Sequence, residues 1–191
     1  MSAKTMMKKL LCRLRWGKLI KSCPNIASFA GVHFQGKLVN PYFMTIGNNI
    51  AIGKGFILHC FHSGKANPKL VIGDNFWSRD NLTIFCAEKV VIGKDVTLAK
   101  DVFISDENHG MNPMTDNYRK NPLETKEVVI GDGCWLGEKV CVLPGVHIGK
   151  KTIIGAGSVV TRDIPEYCIA AGNPCKVIKT WDKNKEAWVR V

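Results

Sequence analysis

The chain has 191 residues, 46% of them hydrophobic and 23% charged, the composition of one folded domain with its own core rather than of a disordered segment. Its formal net charge of +11 is lopsided: no Asp or Glu precedes Asp74, residues 1–73 hold 11 of the 27 Lys and Arg, and the other 16 balance all 16 acids downstream. An excess confined to the N-terminal third, with no groove-reading motif attached to it, argues against nucleic-acid binding. The lack of any apolar run of ~18 residues argues against a spanning helix.

Residues 1–24 read as a basic amphipathic helix. Ala3, Met7, Leu10 and Leu14 are spaced 4, 3 and 4 apart, Lys4, Lys8 and Arg15 face away from that stripe, and Pro24 ends it. Arg13 and Arg15 interrupt the segment before it reaches signal-peptide form, so the expected location is cytoplasmic. The plain role for such a helix is to cap the end of a domain; the other is peripheral contact of residues 1–22 with an anionic membrane.

From Ile46 an aliphatic residue recurs every sixth position: Ile46, Ile52, Leu58; Ile72 and Ile84 with Ser78 between; Ile92, Leu98, Ile104; then Ile130, Leu136, Val142, Ile148, Ile154 and Val160. Six is a multiple of the strand period of two, so these side chains point to one side of an extended chain, which a helix period of 3.6 does not allow. Glycine often follows the aliphatic, at 47, 53, 73, 93, 131, 137, 149 and 155, and is expected to turn the chain at φ > 0. Small or β-branched residues recur four places on, at Val96, Val102, Cys134, Val140, Val146, Thr152 and Ser158. These features predict an all-β solenoid over 25–180, with three sides per coil around an aliphatic column, and a helical tail over 181–191.

The period breaks after Leu58 at "HCFHSGKANPKLV", between Ile84 and Ile92 by two residues, and after Ile104 at "SDENHGMNPMTDNYRKNPLETKEVV". Breaks in a solenoid are where loops leave it. His109 is the only histidine of the longest loop, 105–127, and imidazole is the side chain best matched to general-base work near neutral pH. Asp106 and Glu107 are candidates to hold its tautomer. "HCFH" brings His59, Cys60 and His62 together without metal-ligand spacing, and alternation sends His59 and Cys60 to opposite sides, so no metal is expected. None of the eight cysteines forms a C-x-x-C pair, and a chain of this length reads as carrying reduced thiols. Cys134 occupies a small-residue packing slot, which weighs against Cys134 or Cys141 as a nucleophile.

The blocks "VVIGDGCWLG", "PGVHIG", "TIIGAGSVVTRDIPE" and "AAGNPCKVIK" resemble, in order, those of the left-handed parallel β-helix acyltransferases of hexapeptide repeats, the O-acetyltransferases of sugars, nodulation factors and xenobiotics. The resemblance covers about residues 46–180. It implies a left-handed coil, acetyl-CoA as acyl donor, a homotrimer with active sites between subunits, and His109 as the base that deprotonates an acceptor hydroxyl. It implies Trp135, Gly137, Ala156, Thr161, Arg162, Lys176 and Lys179 around the cofactor, although many relatives have arginine at the lysine positions, and Arg79, Asn81, Asp106 and Glu107 toward the acceptor. A sugar or glycan precursor is the expected acceptor. The alternatives are an antibiotic O-acetyltransferase, a hexapeptide-repeat carbonic anhydrase, and a non-enzymatic β-helical binding or assembly module.

Overall fold

The computed structural model describes residues 7, 10, 11, 14–17, 21, 23–27, 31–33, 35–64 and 67–191. From the bridge between Ile26 and Ile46 onward, the chain winds as a three-sided prism of parallel strands. The first side has five strands, Met44–Ile46, Lys69–Ile72, Lys89–Ile92, Val128–Ile130 and His147–Ile148. The second has six, Lys37–Val39, Ile57–Cys60, Thr83–Cys86, Phe103–Ser105, Cys141–Val142 and Val159–Val160. The third has nine, among them Trp77–Ser78, Thr97–Leu98, Trp135–Leu136 and Ile153–Ile154.

The six-residue aliphatic column is the core. Its members from Ile46 to Val160 are at most 2% exposed, and Val96, Val102, Cys134, Val140, Val146, Thr152 and Ser158 are buried beside them. Each such aliphatic side chain contributes roughly 1.5–3 kcal/mol of burial, and the rigid register lets every coil stack on the next. Ser78 fills one aliphatic slot and satisfies its hydroxyl on the Arg79 carbonyl at 2.9 Å.

The corners turn for a different reason from the one the sequence suggested. The left-handed residue sits three places after the core aliphatic, not one. It is Asn49, Asn75, Asn81, Asp95, Asp101, Lys139 or Lys151 on some corners and Gly55, Gly133, Gly145 or Gly157 on others. The glycines directly after the aliphatic have a packing role: a Cβ on Gly93 would lie 2.3 Å from Asp132 Oδ1, and one on Gly137 would lie 2.6 Å from the Ala156 nitrogen. The next coil's backbone occupies the space a side chain would need. Asn and Asp are the non-glycine residues that best tolerate the left-handed region. Here they also bond between coils, Asn75 Nδ2 to Asp95 Oδ1 at 2.8 Å and Asn81 Nδ2 to Asp101 Oδ1 at 2.7 Å.

The C-terminal tail is not helical. Lys176–Asp182 and Ala187–Arg190 form antiparallel strands on the end of the nine-stranded side. The β-branched and aromatic residues of "KVIKTWD" and "AWVR" suit a strand, and Trp181 faces Trp188 across the pair with ring centroids 5.3 Å apart. At the other end, Met7, Leu10, Leu11, Leu14–Gly17 and Lys21 are helical; Ala3, Lys4 and Lys8 lie outside the described residues. Trp16 is 5% exposed and packs on Phe56 at 6.0 Å. The described members of the predicted stripe face solvent, with Met7 58%, Leu10 52% and Leu14 69% exposed.

Candidate active site

All three breaks in the sequence period fall on the same corner of the prism, where the six-stranded side passes to the five-stranded side. The described residues 61–64 and 67–68, with Ala87–Glu88 and 106–127, therefore stack above one another. The longest leaves after Phe103–Ser105 as an antiparallel hairpin of Glu107–His109 with Leu123–Thr125, which sets His109 opposite Leu123.

Asp106 is the root of that hairpin. It is fully buried. Its Oδ1 accepts the Ala87 N–H at 2.7 Å, and its Oδ2 accepts those of Glu88 at 2.9 Å and Lys89 at 2.6 Å. The two-residue insertion thus wraps around the carboxylate that begins the large loop. Burial pushes the Asp106 carboxyl above its ordinary range while the three N–H donors pull it back. The Thr125 hydroxyl donates to the Glu88 carboxylate, Lys89 pairs with Glu127 at 2.7 Å, and the Asn121 amide donates to the Gly110 carbonyl.

Strand alternation puts Glu107 and His109 on one side of the hairpin and Asn108 on the other. That side closes a cavity of about 300 Å³ lined by His59, Phe61, Phe85, Glu107, His109 and Leu123. Burial raises the Glu107 carboxyl, and His109 beside it partly offsets the shift. A titratable imidazole, a neighbouring carboxylate and an apolar wall are the parts a proton-transfer site needs.

The structure brings only His109 and Glu107 of the acceptor-side candidates together. Asp106 cannot orient the imidazole, because three backbone N–H groups occupy its carboxylate. The Asn81 amide is held by Asp101 at a corner between the six- and nine-stranded sides, and this bond holds the Asp101 carboxyl below its usual range. Arg79 is exposed on that corner and does not line the cavity. Phe61, Phe85 and Leu123 are not among the residues the sequence pointed to, and His59 stood there only as a metal candidate. The signal for His59 lay in the alternation: Cys60 is in the core, so His59 faces out. Among the described residues no group of three or more His, Cys, Asp or Glu is placed to hold a metal. Cys134 packs inside with its thiol 3.1 Å from the Gly149 carbonyl, and burial raises its pKa, as befits a packing residue.

The cofactor candidates divide between two places. Trp135, 53% exposed, lies on the outside of the nine-stranded side. Register carries its position through Ile153 and Ile169 to Lys179, three strand spacings of ~4.8 Å or roughly 14 Å. This outward row, apolar along its length and basic at its end, fits an extended pantetheine arm that terminates in phosphates. Ala156 is exposed at the corner nearby, and Lys176 begins the strand that holds Lys179. Gly137 belongs to the coil packing described above. Thr161 and Arg162 are exposed at the far corner, beyond Val159–Val160 on the six-stranded side. Within one chain, the row from Trp135 to Lys179 and the His109 cavity open on different sides of the prism.

Comparison with known proteins agrees with this geometry. Residues 127–162 match the family model described as bacterial transferase hexapeptide (six repeats). The chain is 36% identical over 164 residues to WbbJ of Escherichia coli K12, a candidate lipopolysaccharide biosynthesis O-acetyl transferase, covering 82% of each chain. It is 50% identical over 111 residues to the candidate acetyltransferase YJL218W of Saccharomyces cerevisiae, covering 58% of this chain and 55% of that one. Among solved structures, a galactoside acetyltransferase in complex with coenzyme A superposes with a TM-score of 0.55 at 28% identity, over 97% of this chain and 86% of the other. A period-six core, a matching family model and O-acetyltransferase relatives along most of its length place this chain in the hexapeptide-repeat, left-handed β-helix family of acetyl-CoA-dependent O-acetyltransferases.

Proposed function

We propose that this chain moves the acetyl group of acetyl-CoA to a hydroxyl of a sugar or glycan precursor, with His109 as general base. The observation that carries the reading is the cavity in which His109 and Glu107 share one side of a hairpin against a wall of rings. Acetyl-CoA supplies the activated carbonyl and a thiolate leaving group. His109 takes the hydroxyl proton as the acceptor oxygen bonds to the carbonyl carbon, and gives it to the departing sulfur as the C–S bond breaks. The nucleophile belongs to the acceptor, so no cysteine or serine of the chain is needed. A backbone N–H is the expected donor to the transient oxyanion. Sugar specificity is supported by WbbJ and the galactoside enzyme, whose names refer to lipopolysaccharide and galactoside.

The row from Trp135 to Lys179 and the His109 cavity face different ways in one chain, which supports a homotrimer in which one copy presents the base and a neighbour the cofactor row. The test is thiol release from acetyl-CoA against a panel of sugars and antibiotics. His109→Ala should lose at least ~100-fold in turnover with its melting temperature unchanged. Turnover within tenfold of wild type would overturn the assignment, and acetylation of antibiotics alone would move the acceptor class.

The outward stripe of Met7, Leu10 and Leu14, in a segment whose first 73 residues lack any acid, supports docking on an anionic membrane as a second property. Deleting residues 1–22 should abolish binding to vesicles rich in anionic lipid. Undiminished binding, or a change of oligomeric state instead, would sink it.

A further inference from the structure

The proton-transfer chemistry leaves one wall of the His109 cavity without a task. His59 and Phe85 are register partners on adjacent strands, and Phe61 continues the outward side of the same strand as His59. Their neighbours in alternation, Leu58, Cys60, Ile84 and Cys86, are fully buried in the core, so the rings are held outward by the pleat. His59 and Phe61 have centroids 5.0 Å apart, His59 meets Phe85 edge-on at 6.0 Å and 86°, and Phe61 meets Phe85 at 6.4 Å and 78°. Phe103 extends the row, 5.7 Å from Phe85. Three rings on one soluble surface patch, partly exposed and opening into a cavity, are an apolar surface that awaits a ligand.

Opposite the rings the cavity is polar, with Glu107 and His109 on the hairpin. A ligand that fits has one C–H face and one hydroxyl edge, which describes a pyranose. The volume of about 300 Å³ is at the small end of the ~300–1,000 Å³ usual for small-molecule sites, which suits one sugar ring. Charge narrows the choice further. Among the described residues no Lys or Arg lines the cavity and its one carboxylate is Glu107, so a carboxylate-bearing sugar would meet a like charge there without a cationic partner among them.

We infer that His59, Phe61 and Phe85 are the specificity wall for the acceptor: they stack on the C–H face of one neutral pyranose unit and turn its hydroxyl edge to His109, while Glu107 excludes uronic acids. This rests on the sugar-acetyl-transfer reading above. The rings act by position; His109 alone exchanges a proton with the substrate.

The experiment uses the full chain with methyl hexopyranosides and the matching methyl hexopyranosiduronates. Binding is read by saturation-transfer NMR without acetyl-CoA, and turnover by thiol release. In the wild type, saturation should reach the C–H protons of one ring face most strongly, and the uronates should bind at least ~10-fold more weakly than the neutral glycosides. Phe61→Ala and Phe85→Ala should each raise the acceptor KM by ~2–12-fold, the range expected of one aromatic contact, with the KM for acetyl-CoA unchanged. Phe61→Tyr and Phe85→Tyr should restore it. Uniform saturation around the ring, equal binding of uronates, or an unchanged acceptor KM in both alanine variants would overturn the wall even if sugars are acetylated. If no pyranoside is bound or acetylated, the sugar reading fails, and the wall fails with it.

Discussion

Replacing Asp106 tests how the 106–127 loop is anchored. The side chain is fully buried and accepts three backbone N–H groups at 2.6–2.9 Å, those of Ala87, Glu88 and Lys89. In Asp106→Ala all three donors lose their acceptor, each at a cost of ~1–3 kcal/mol if water does not enter. Removing a buried carboxylate recovers part of that through relief of desolvation, which leaves a net loss of about 3–5 kcal/mol. At roughly 2–4 °C per kcal/mol for a domain of this size, the melting temperature should fall by about 6–20 °C. Asp106→Asn retains one acceptor oxygen but turns an NH₂ toward at least one N–H, so its loss should fall between wild type and alanine. Thermal denaturation gives the magnitude, and hydrogen exchange locates it. The amides of 87–89 and 107–109 should lose protection before those of the Ile130–Val160 coils, because Asp106 ties only the insertions together. The reasoning is refuted if alanine melts within 1–2 °C of wild type, or if protection is lost evenly along the prism.

Gly137→Ala puts a Cβ 2.6 Å from the Ala156 nitrogen, whereas Gly157 has φ +70° and nothing within 4 Å of a built Cβ. The first should cost several kcal/mol by forcing two coils apart and the second only ~1 kcal/mol of left-handed strain, as denaturant titration will rank them. Trp135→Ala removes an exposed ring with little packing; it should leave the melting temperature within ~1 °C and raise the KM for acetyl-CoA by ~2–12-fold, and an unchanged KM in steady-state kinetics would remove Trp135 from the cofactor row. Glu107 has a folded pKa raised by burial, so its ionisation opposes folding: the penalty is absent below its unfolded pKa of ~4.3 and grows as pH rises through the folded value. Glu107→Gln should therefore raise the melting temperature more at pH 7 than at pH 4, and the opposite trend in paired thermal scans would contradict the assignment of burial as the dominant cause.

The solenoid was legible because its signal is periodic and local. Ile130, Leu136, Val142, Ile148, Ile154 and Val160 repeat at a spacing that only an extended, coiling chain keeps on one side, and the interruptions at 59–71, 85–91 and 105–129 are visible as lost period. His109 stood out in the sequence as the lone imidazole of the longest interruption, and the structure sets it on the cavity wall. The reason for the glycines was not legible, because Gly93 and Gly137 are set by the backbone of the next coil, 39 and 19 residues later at Asp132 and Ala156.

What the residues alone determined, then, is the coil, its core and the places where chain leaves it. Only the tertiary structure decided that all three interruptions share one corner, that Asp106 anchors the loop while Glu107 stands beside His109, and that His59, Phe61 and Phe85 face His109. The physical reason is that a period of six states which side chains point inward but not how many turns separate two insertions in space. Stacking brings residues 59, 85 and 109 to one cavity through inter-strand register, a property of neighbouring coils that no single segment of sequence contains.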